Sequence, residues 1–135
     1  MAKETSNGYV LRRGAGFRWD DAPDEPYKSD ASFRGVRRVN LAGKRGESTR
    51  FHLRYFEVEP GGYTTRERHR HEHVVMCQRG EGEIRIGDEW HILQFGDVAY
   101  VPPDFVHQLR NRTSEPFGFL CLVDAERDRP VPVEE

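Results

Sequence analysis

The chain has 135 residues, of which 36% are hydrophobic and 33% are charged, and its formal net charge is −2. This length predicts one ordinary domain with one core. The absence of a run of about 18 apolar residues excludes a membrane-spanning helix, and 21 basic residues balanced by 23 acidic ones argue against a nucleic-acid partner. The start is polar and has no apolar segment, so we do not expect it to act as a secretory signal. Two isolated cysteines in apolar runs predict buried thiols in a cytoplasmic protein.

The first segment, residues 1–35, is rich in Gly, Asp, Pro and basic residues. Such a composition predicts an extended N-terminal arm or edge strand, because it offers little apolar surface to bury. A short strand is expected at 9–13 and a loop at 20–30. We expect this arm to wrap the surface of the domain or to cross to a partner subunit.

Short runs of alternating apolar and polar residues fill the chain from residue 36 to 125. The runs are 36–42, 50–59, 63–69, 74–87, 89–94, 97–102, 106–111 and 116–124. Period-two alternation predicts strands, and the Gly- or Pro-rich gaps between the runs, such as 60–62 and 102–104, predict turns. Closely spaced strands of this kind are typical of an all-β sandwich or barrel. Residues 126–135 are expected to form a C-terminal tail.

Four of the six histidines fall in two places, with one group in the sequence ERHRHEHVV and one histidine beyond a Pro-Pro corner. Glu67, His69, His71 and His73 share the same parity, so a regular strand would direct them to one face. His107 follows the corner, where prolines end the preceding strand. A solvated polar strand face is the alternative interpretation. Imidazole and carboxylate groups are the common ligands of transition metals, however, and this pattern favours a metal site.

The stretch 61–80 resembles the first motif of the cupin family, a Gly-bounded segment that carries His-x-His followed by Glu. In this alignment Glu67 and His69 stand at the two His positions, and His73 stands at the Glu position. The ligand count and charge of the usual three-His, one-Glu set are kept, although Glu and one His are exchanged.

The stretch 96–111 resembles the second cupin motif, and fifteen residues separate it from the first. Gly96, Pro102, His107 and Asn111 match the motif. Asp104 stands where Gly is usual, and Asp tolerates the left-handed conformation of such a turn better than most residues.

This resemblance implies a small single-domain cupin of the conserved-barrel type, folded as a double-stranded β-helix or jelly-roll barrel. It implies one divalent transition metal, Mn, Fe, Ni, Co, Cu or Zn, bound by Glu67, His69, His73 and His107. If Glu67 turns away, three histidines remain, and His71 becomes an alternative ligand, a support for the ligands or a substrate contact. Cupins commonly form dimers, and we expect a homodimer.

Strand parity places Cys77 and Leu109 beside the metal site, the resemblance implies an aromatic pocket residue at Phe119, and Tyr55 is a further candidate. We expect a mostly apolar pocket that takes a small organic molecule. A His-rich metal site with open positions, inside an apolar barrel that excludes water, favours an oxygenase-type metalloenzyme that acts on a small apolar or phenolic substrate. Two alternatives remain open. One is a metal-dependent isomerase or lyase, although a sugar-phosphate substrate would call for Lys or Arg inside the barrel. The other is a non-enzymatic small-molecule-binding module.

Overall fold

The computed structural model describes residues 8–127 and 130–133, and the regular secondary structure within them is almost entirely β. One short 3₁₀ turn, Ala15–Phe17, precedes the strands. The strands are β1 Asp24–Glu25, β2 Arg34–Ala42, β3 Phe51–Tyr63, β4 Glu67–Arg68, β5 His73–Arg79, β6 Gly82–Ile86, β7 Glu89–Leu93, β8 Val98–Val101, β9 His107–Arg110, β10 Phe117–Asp124 and β11 Val131–Pro132. No helix in this part of the chain is long and apolar enough to cross a membrane.

The strands form a nearly closed antiparallel barrel. The main path runs β11-β4-β9-β3-β10-β5-β8, while β6 bridges β7 and β9, and β2 lies between β1 and β3. Strands that are distant in sequence thus become neighbours, as in a jelly roll. The prediction of an all-β jelly-roll barrel is confirmed.

The alternation of residues along the barrel strands determines which side chains face the core. On β10 the odd-numbered residues Phe117, Phe119, Cys121 and Val123 are buried in the main core. On β5 His73, Val75 and Cys77 are buried by the same alternation. Residues i and i+2 of a strand share a face, so the histidine that opens β5 points the same way as the core residues that follow it.

Strand β3 differs from the prediction because it continues through Pro60, Gly61 and Gly62, where a gap was expected. Gly61 has φ +81°, and a Cβ on Gly62 would lie 2.6 Å from the Arg34 carbonyl oxygen. The two glycines therefore let the strand kink against β2 instead of ending. The predicted strand 63–69 is broken after Tyr63 and resumes only as β4.

The described part of the N-terminal arm folds back on its own barrel. Strand β1 pairs with β2, and Phe17 and Trp19 pack on Tyr55 with ring centroids 5.5 Å and 5.0 Å away. The strand predicted at 9–13 does not form, and Arg13 makes an isolated bridge to Trp19 instead. At the other end, part of the predicted tail forms β11, which pairs with β4.

Candidate metal centre and its cavity

One cavity of about 270 Å³ opens into the barrel beside the histidines. Its wall combines imidazoles, apolar side chains and cationic groups. The lining residues are Tyr27, Lys28, Arg38, Arg54, Phe56, Thr64, Thr65, Glu67, His69, His71, His73, Val75, Ile84, Val101, His107, Leu109, Phe119, Cys121, Arg127 and Pro130. Its volume is near the lower end of the range for small-molecule sites, about 300 Å³.

Three separate segments bring the histidines together. His73 opens β5, and His107 opens β9 opposite Glu67 of β4. Asp104 adopts φ +65° in the corner before β9, as the second motif predicts, and its N–H donates to the His69 carbonyl oxygen at 2.7 Å. This bond ties the loop that carries His69 to the corner that positions His107.

His69, His73 and His107 offer ring nitrogens that all lie within 4.8 Å of one another, and all three residues are buried. The Nε2 atoms of His69 and His73 are only 2.7 Å apart. Two N–H groups cannot face each other at that distance, so at least one lone pair points into the gap. A cation between the rings satisfies such an arrangement, and three imidazoles are a donor set that transition metals accept.

Backbone carbonyls fix the tautomers of two of these rings. The Nδ1 atom of His69 lies 2.8 Å from the His71 carbonyl oxygen, and that of His107 lies 3.0 Å from the Phe105 carbonyl oxygen. A carbonyl only accepts, so each Nδ1 carries the proton and each Nε2 keeps its lone pair. Outer contacts of this kind are the usual support of metal-binding histidines. The residues present therefore fit a divalent metal ion.

The environment of the cluster favours neutral imidazole. Burial lowers the pKa of His73, and the neighbouring His107 and His69 lower it further. Burial also lowers the pKa of His107, against the raising effects of its bond to the Phe105 carbonyl and of the Glu67 charge. Neutral rings at neutral pH are what a metal ion requires of its ligands.

Glu67 lies in the cavity wall and is buried, but it does not join the three-histidine group. Its Oε2 atom accepts from the ammonium of Lys28, which the N-terminal arm delivers to the cavity. Glu67 as the fourth ligand therefore stays a prediction. Nothing in the motif indicated this pairing, because Lys28 lies 39 residues away in the chain.

His71 is buried beside the cluster, with its ring stacked on that of His69 at a centroid distance of 3.5 Å and an interplanar angle of 6°. Its carbonyl oxygen is the acceptor for His69 Nδ1. His71 thus supports the His69 ring through its backbone, and its role as an alternative ligand or substrate contact stays a prediction.

Two of the residues predicted to line the pocket lie in the cavity wall, Phe119 and Leu109, and two do not. Cys77 lies further along β5 inside the packed core. Tyr55 is a correction, because its ring lies on the outer side of β3, beneath the N-terminal arm. Its neighbour Phe56 faces the cavity instead.

The expectation of a mostly apolar lining is also corrected. Lys28, Arg38, Arg54 and Arg127 all contribute to the cavity wall. Arg54 shares the inward parity of Phe56 on β3, a signal present in the sequence but masked because both faces of that strand carry apolar residues. Lys28 and Arg127 lie outside the barrel strands, where strand alternation gives no information.

Cys121 connects the histidines to this cationic side. Its Sγ atom lies 3.1 Å from His73 Nδ1 and accepts a hydrogen bond from Arg54 Nη2 at 3.5 Å. Burial raises the pKa of the Cys121 thiol, so the group stays protonated at neutral pH.

Comparison with known proteins identifies the family. The sequence model of one protein family, described as the cupin domain, matches residues 54–123 of this chain. The chain is 40% identical over 121 residues to 1-methylthio-D-xylulose 5-phosphate methylsulfurylase from Rhodospirillum rubrum. The aligned region covers 87% of this chain and 76% of that protein.

Solved structures agree with this assignment. A cupin 2 conserved barrel domain protein from Rhodopseudomonas palustris superposes with a TM-score of 0.85 at 39% identity, over 92% of this chain and 86% of that chain. The polyketide cyclase RemF from Streptomyces resistomycificus superposes with a TM-score of 0.81 over 95% of this chain and 87% of that chain, but at 20% identity it shows the fold alone. The chain belongs to the cupin family.

Proposed function

We propose that this protein is a metal-dependent enzyme that acts on the keto group of a small phosphorylated sugar, in a reaction of the lyase or isomerase type. The observation that carries the proposal is the group formed by His69, His73 and His107 inside a cavity suited to a small molecule. The substrate class comes from the Rhodospirillum rubrum relative, whose name specifies a 1-methylthio-ketose 5-phosphate.

The residues of the chain divide the work of such a site. Carbonyl acceptors hold the Nδ1 atoms of His69 and His107, so both rings present Nε2 in a fixed direction. A divalent metal ion bound there supplies a Lewis acid that polarises a carbonyl oxygen. Phe56, Phe119 and Leu109 form an apolar part of the wall that limits the access of water.

An oxygenase acting on an apolar substrate, which the sequence favoured, has less support. That interpretation assumed an apolar barrel around the metal site, whereas four cationic side chains line the cavity. The three-histidine group serves either class of reaction, so it does not separate them. The name of the relative describes chemistry at a methylthio sugar phosphate.

The test is turnover of 1-methylthio-D-xylulose 5-phosphate by protein loaded with each candidate metal. A parallel series includes a small thiol. It distinguishes loss of the methylthio group by elimination, a lyase reaction, from its transfer to the thiol, in which an S–S bond forms as the C1–S bond breaks and C1 takes the proton of the thiol. Phosphorus NMR and mass spectrometry follow the substrate and its products. We expect metal-dependent conversion that His107→Ala abolishes and that His91→Ala, a change at an exposed histidine of β7, leaves intact. An unchanged substrate with every metal, or oxygen consumption with an apolar substrate panel, would contradict the proposal.

A further inference from the structure

Three arginines from different parts of the chain meet at the cavity. Arg38 comes from β2, Arg54 from β3, and Arg127 from the segment after β10. Two adjacent strands and a C-terminal segment thus direct guanidinium groups to one site. Each guanidinium has five N–H donors in a planar fork that matches the oxygens of carboxylate and phosphate groups.

The contacts of these arginines leave much of their charge uncompensated. Arg54 donates to the thiol of Cys121, a weak acceptor, and its buried Nε has no hydrogen-bond partner among the described residues. Arg38 donates to the Pro26 carbonyl oxygen at 3.0 Å, and its Nε lies 3.5 Å from a Glu25 carboxylate oxygen.

In the part of the chain that the structure describes, the hydrogen-bond partners of Arg127 are likewise not carboxylates. Its Nη1 atom donates to the Asp124 carbonyl oxygen at 2.6 Å and lies 3.1 Å from His52 Nδ1. The Asp124 carboxylate is close enough to offset part of its charge.

The arginines also lie near enough to repel one another. Burial lowers the pKa of Arg38, and the charge of Arg54 lowers it further. Burial and then the charge of Arg54 lower the pKa of Arg127 in the same way. Like charges held together at a partly buried site are unfavourable unless an anion joins them.

We propose that Arg38, Arg54 and Arg127 form the subsite for the phosphate of the substrate. A phosphate monoester carries about −1.5 to −2 charges at neutral pH and three acceptor oxygens, which suits three guanidinium groups better than a single carboxylate does. Lys28 is not part of this subsite, because it pairs with Glu67.

The subsite also orients the substrate. Cys121 contacts Arg54 on one side and His73 on the other, so one side chain separates the arginines from the histidine cluster. A short molecule can therefore place its phosphate on the arginines and its keto group at the histidines. This inference rests on the proposed function and adds to it the residues that select phosphorylated over unphosphorylated sugars.

Calorimetric titration of the full-length protein as purified tests the subsite. The probes are D-xylulose 5-phosphate, D-xylulose and inorganic phosphate. We expect the phosphorylated sugar to bind at least about 100-fold more tightly than D-xylulose, and inorganic phosphate to compete with it. Arg54→Gln and Arg38→Gln should each weaken binding of the phosphorylated sugar by about 10- to 100-fold, the range expected for charge-assisted hydrogen bonds. Binding of D-xylulose should not change.

Arg54→Lys and Arg50→Gln complete the series. The lysine variant keeps the charge but loses the fork, so its affinity should lie between those of wild type and Arg54→Gln. Arg50 is exposed and outside the cavity wall, so Arg50→Gln should bind like wild type. Equal affinity for both sugars, or an undiminished preference for phosphate in both glutamine variants, would overturn the subsite. A phosphate preference without turnover would instead contradict the proposed function and leave the subsite standing.

Discussion

Lys28→Met should destabilise the protein, because it leaves the Glu67 carboxylate in the cavity wall without its cation. The two side chains are 22% and 10% exposed. Removing one partner of a fully buried ion pair costs about 3–5 kcal/mol, and the remaining exposure of this pair reduces the expected loss to about 2–3 kcal/mol.

Urea unfolding of the metal-free protein measures this loss. The double variant Lys28→Met/Glu67→Gln removes the uncompensated charge, and it should recover more than half of the lost stability, with a coupling energy above about 1 kcal/mol. Lys44→Met is the matched control. The Lys44 side chain is 51% exposed and its ammonium lies 3.9 Å from a Glu25 carboxylate oxygen, so the effect of this substitution should stay within about 0.5 kcal/mol.

Metal addition extends the same experiment to the fourth ligand. If Glu67 is a ligand, as the first motif predicts, a divalent ion replaces the missing ammonium and stabilises Lys28→Met more than it stabilises the double variant. The reasoning about the ion pair is refuted if Lys28→Met unfolds like wild type, or if the effects of the two substitutions simply add.

Other features of the fold give further expected outcomes. Burial opposes ionisation of Glu47, but its hydrogen bonds lower its pKa to about 2. The stabilisation from this carboxylate is therefore present above its unfolded pKa of about 4.3 and is lost as the pH falls towards about 2. Glu47→Gln should cost about 1–2 kcal/mol at pH 7, less than the full pKa shift implies because the group is partly exposed. Its difference from wild type, measured by denaturant unfolding across this pH range, should shrink below about pH 4; a constant difference would count against the assignment. Gly118→Ala would place a Cβ 1.9 Å from the Tyr55 hydroxyl and should lower stability by about 1–3 kcal/mol. Gly14→Ala, whose Cβ would lie 3.6 Å from the Arg18 carbonyl oxygen, should be close to neutral, and equal melting temperatures for these two variants would be inconsistent with the packing described. Asp104→Val should cost about 1–3 kcal/mol, because a β-branched residue disfavours φ +65°, whereas Asp104→Gly should retain wild-type stability in the same thermal unfolding assay.

The barrel was predictable because its determinants are local. Alternation along 116–124 predicts the buried face of β10, and the structure buries those alternate residues. The Pro-Pro corner with Asp104 predicts a left-handed turn before His107, and that residue has φ +65°. Motif spacing then brings together histidines that are far apart in sequence, because matched motifs fix which strands face one another.

The cationic wall was not predictable from the same signals. On β3 both Tyr55 and Phe56 are buried, since one face meets the core and the other is covered by the N-terminal arm. Parity alone cannot choose between two buried faces, and the candidate Tyr55 lies on the outer one. Arg54, on the same face as Phe56, was not among the predicted pocket residues. Lys28 reaches the site through the path of the arm, which leaves no periodic signal in the sequence.

The central claim is that three buried histidines hold a divalent metal ion. Elemental analysis of the purified protein, combined with anomalous diffraction at the absorption edge of the metal found, tests it most directly. We expect one ion per chain, bound by the Nε2 atoms of His69, His73 and His107. Stoichiometric metal at another position, or a protein that remains metal-free after incubation with each candidate ion, would contradict it.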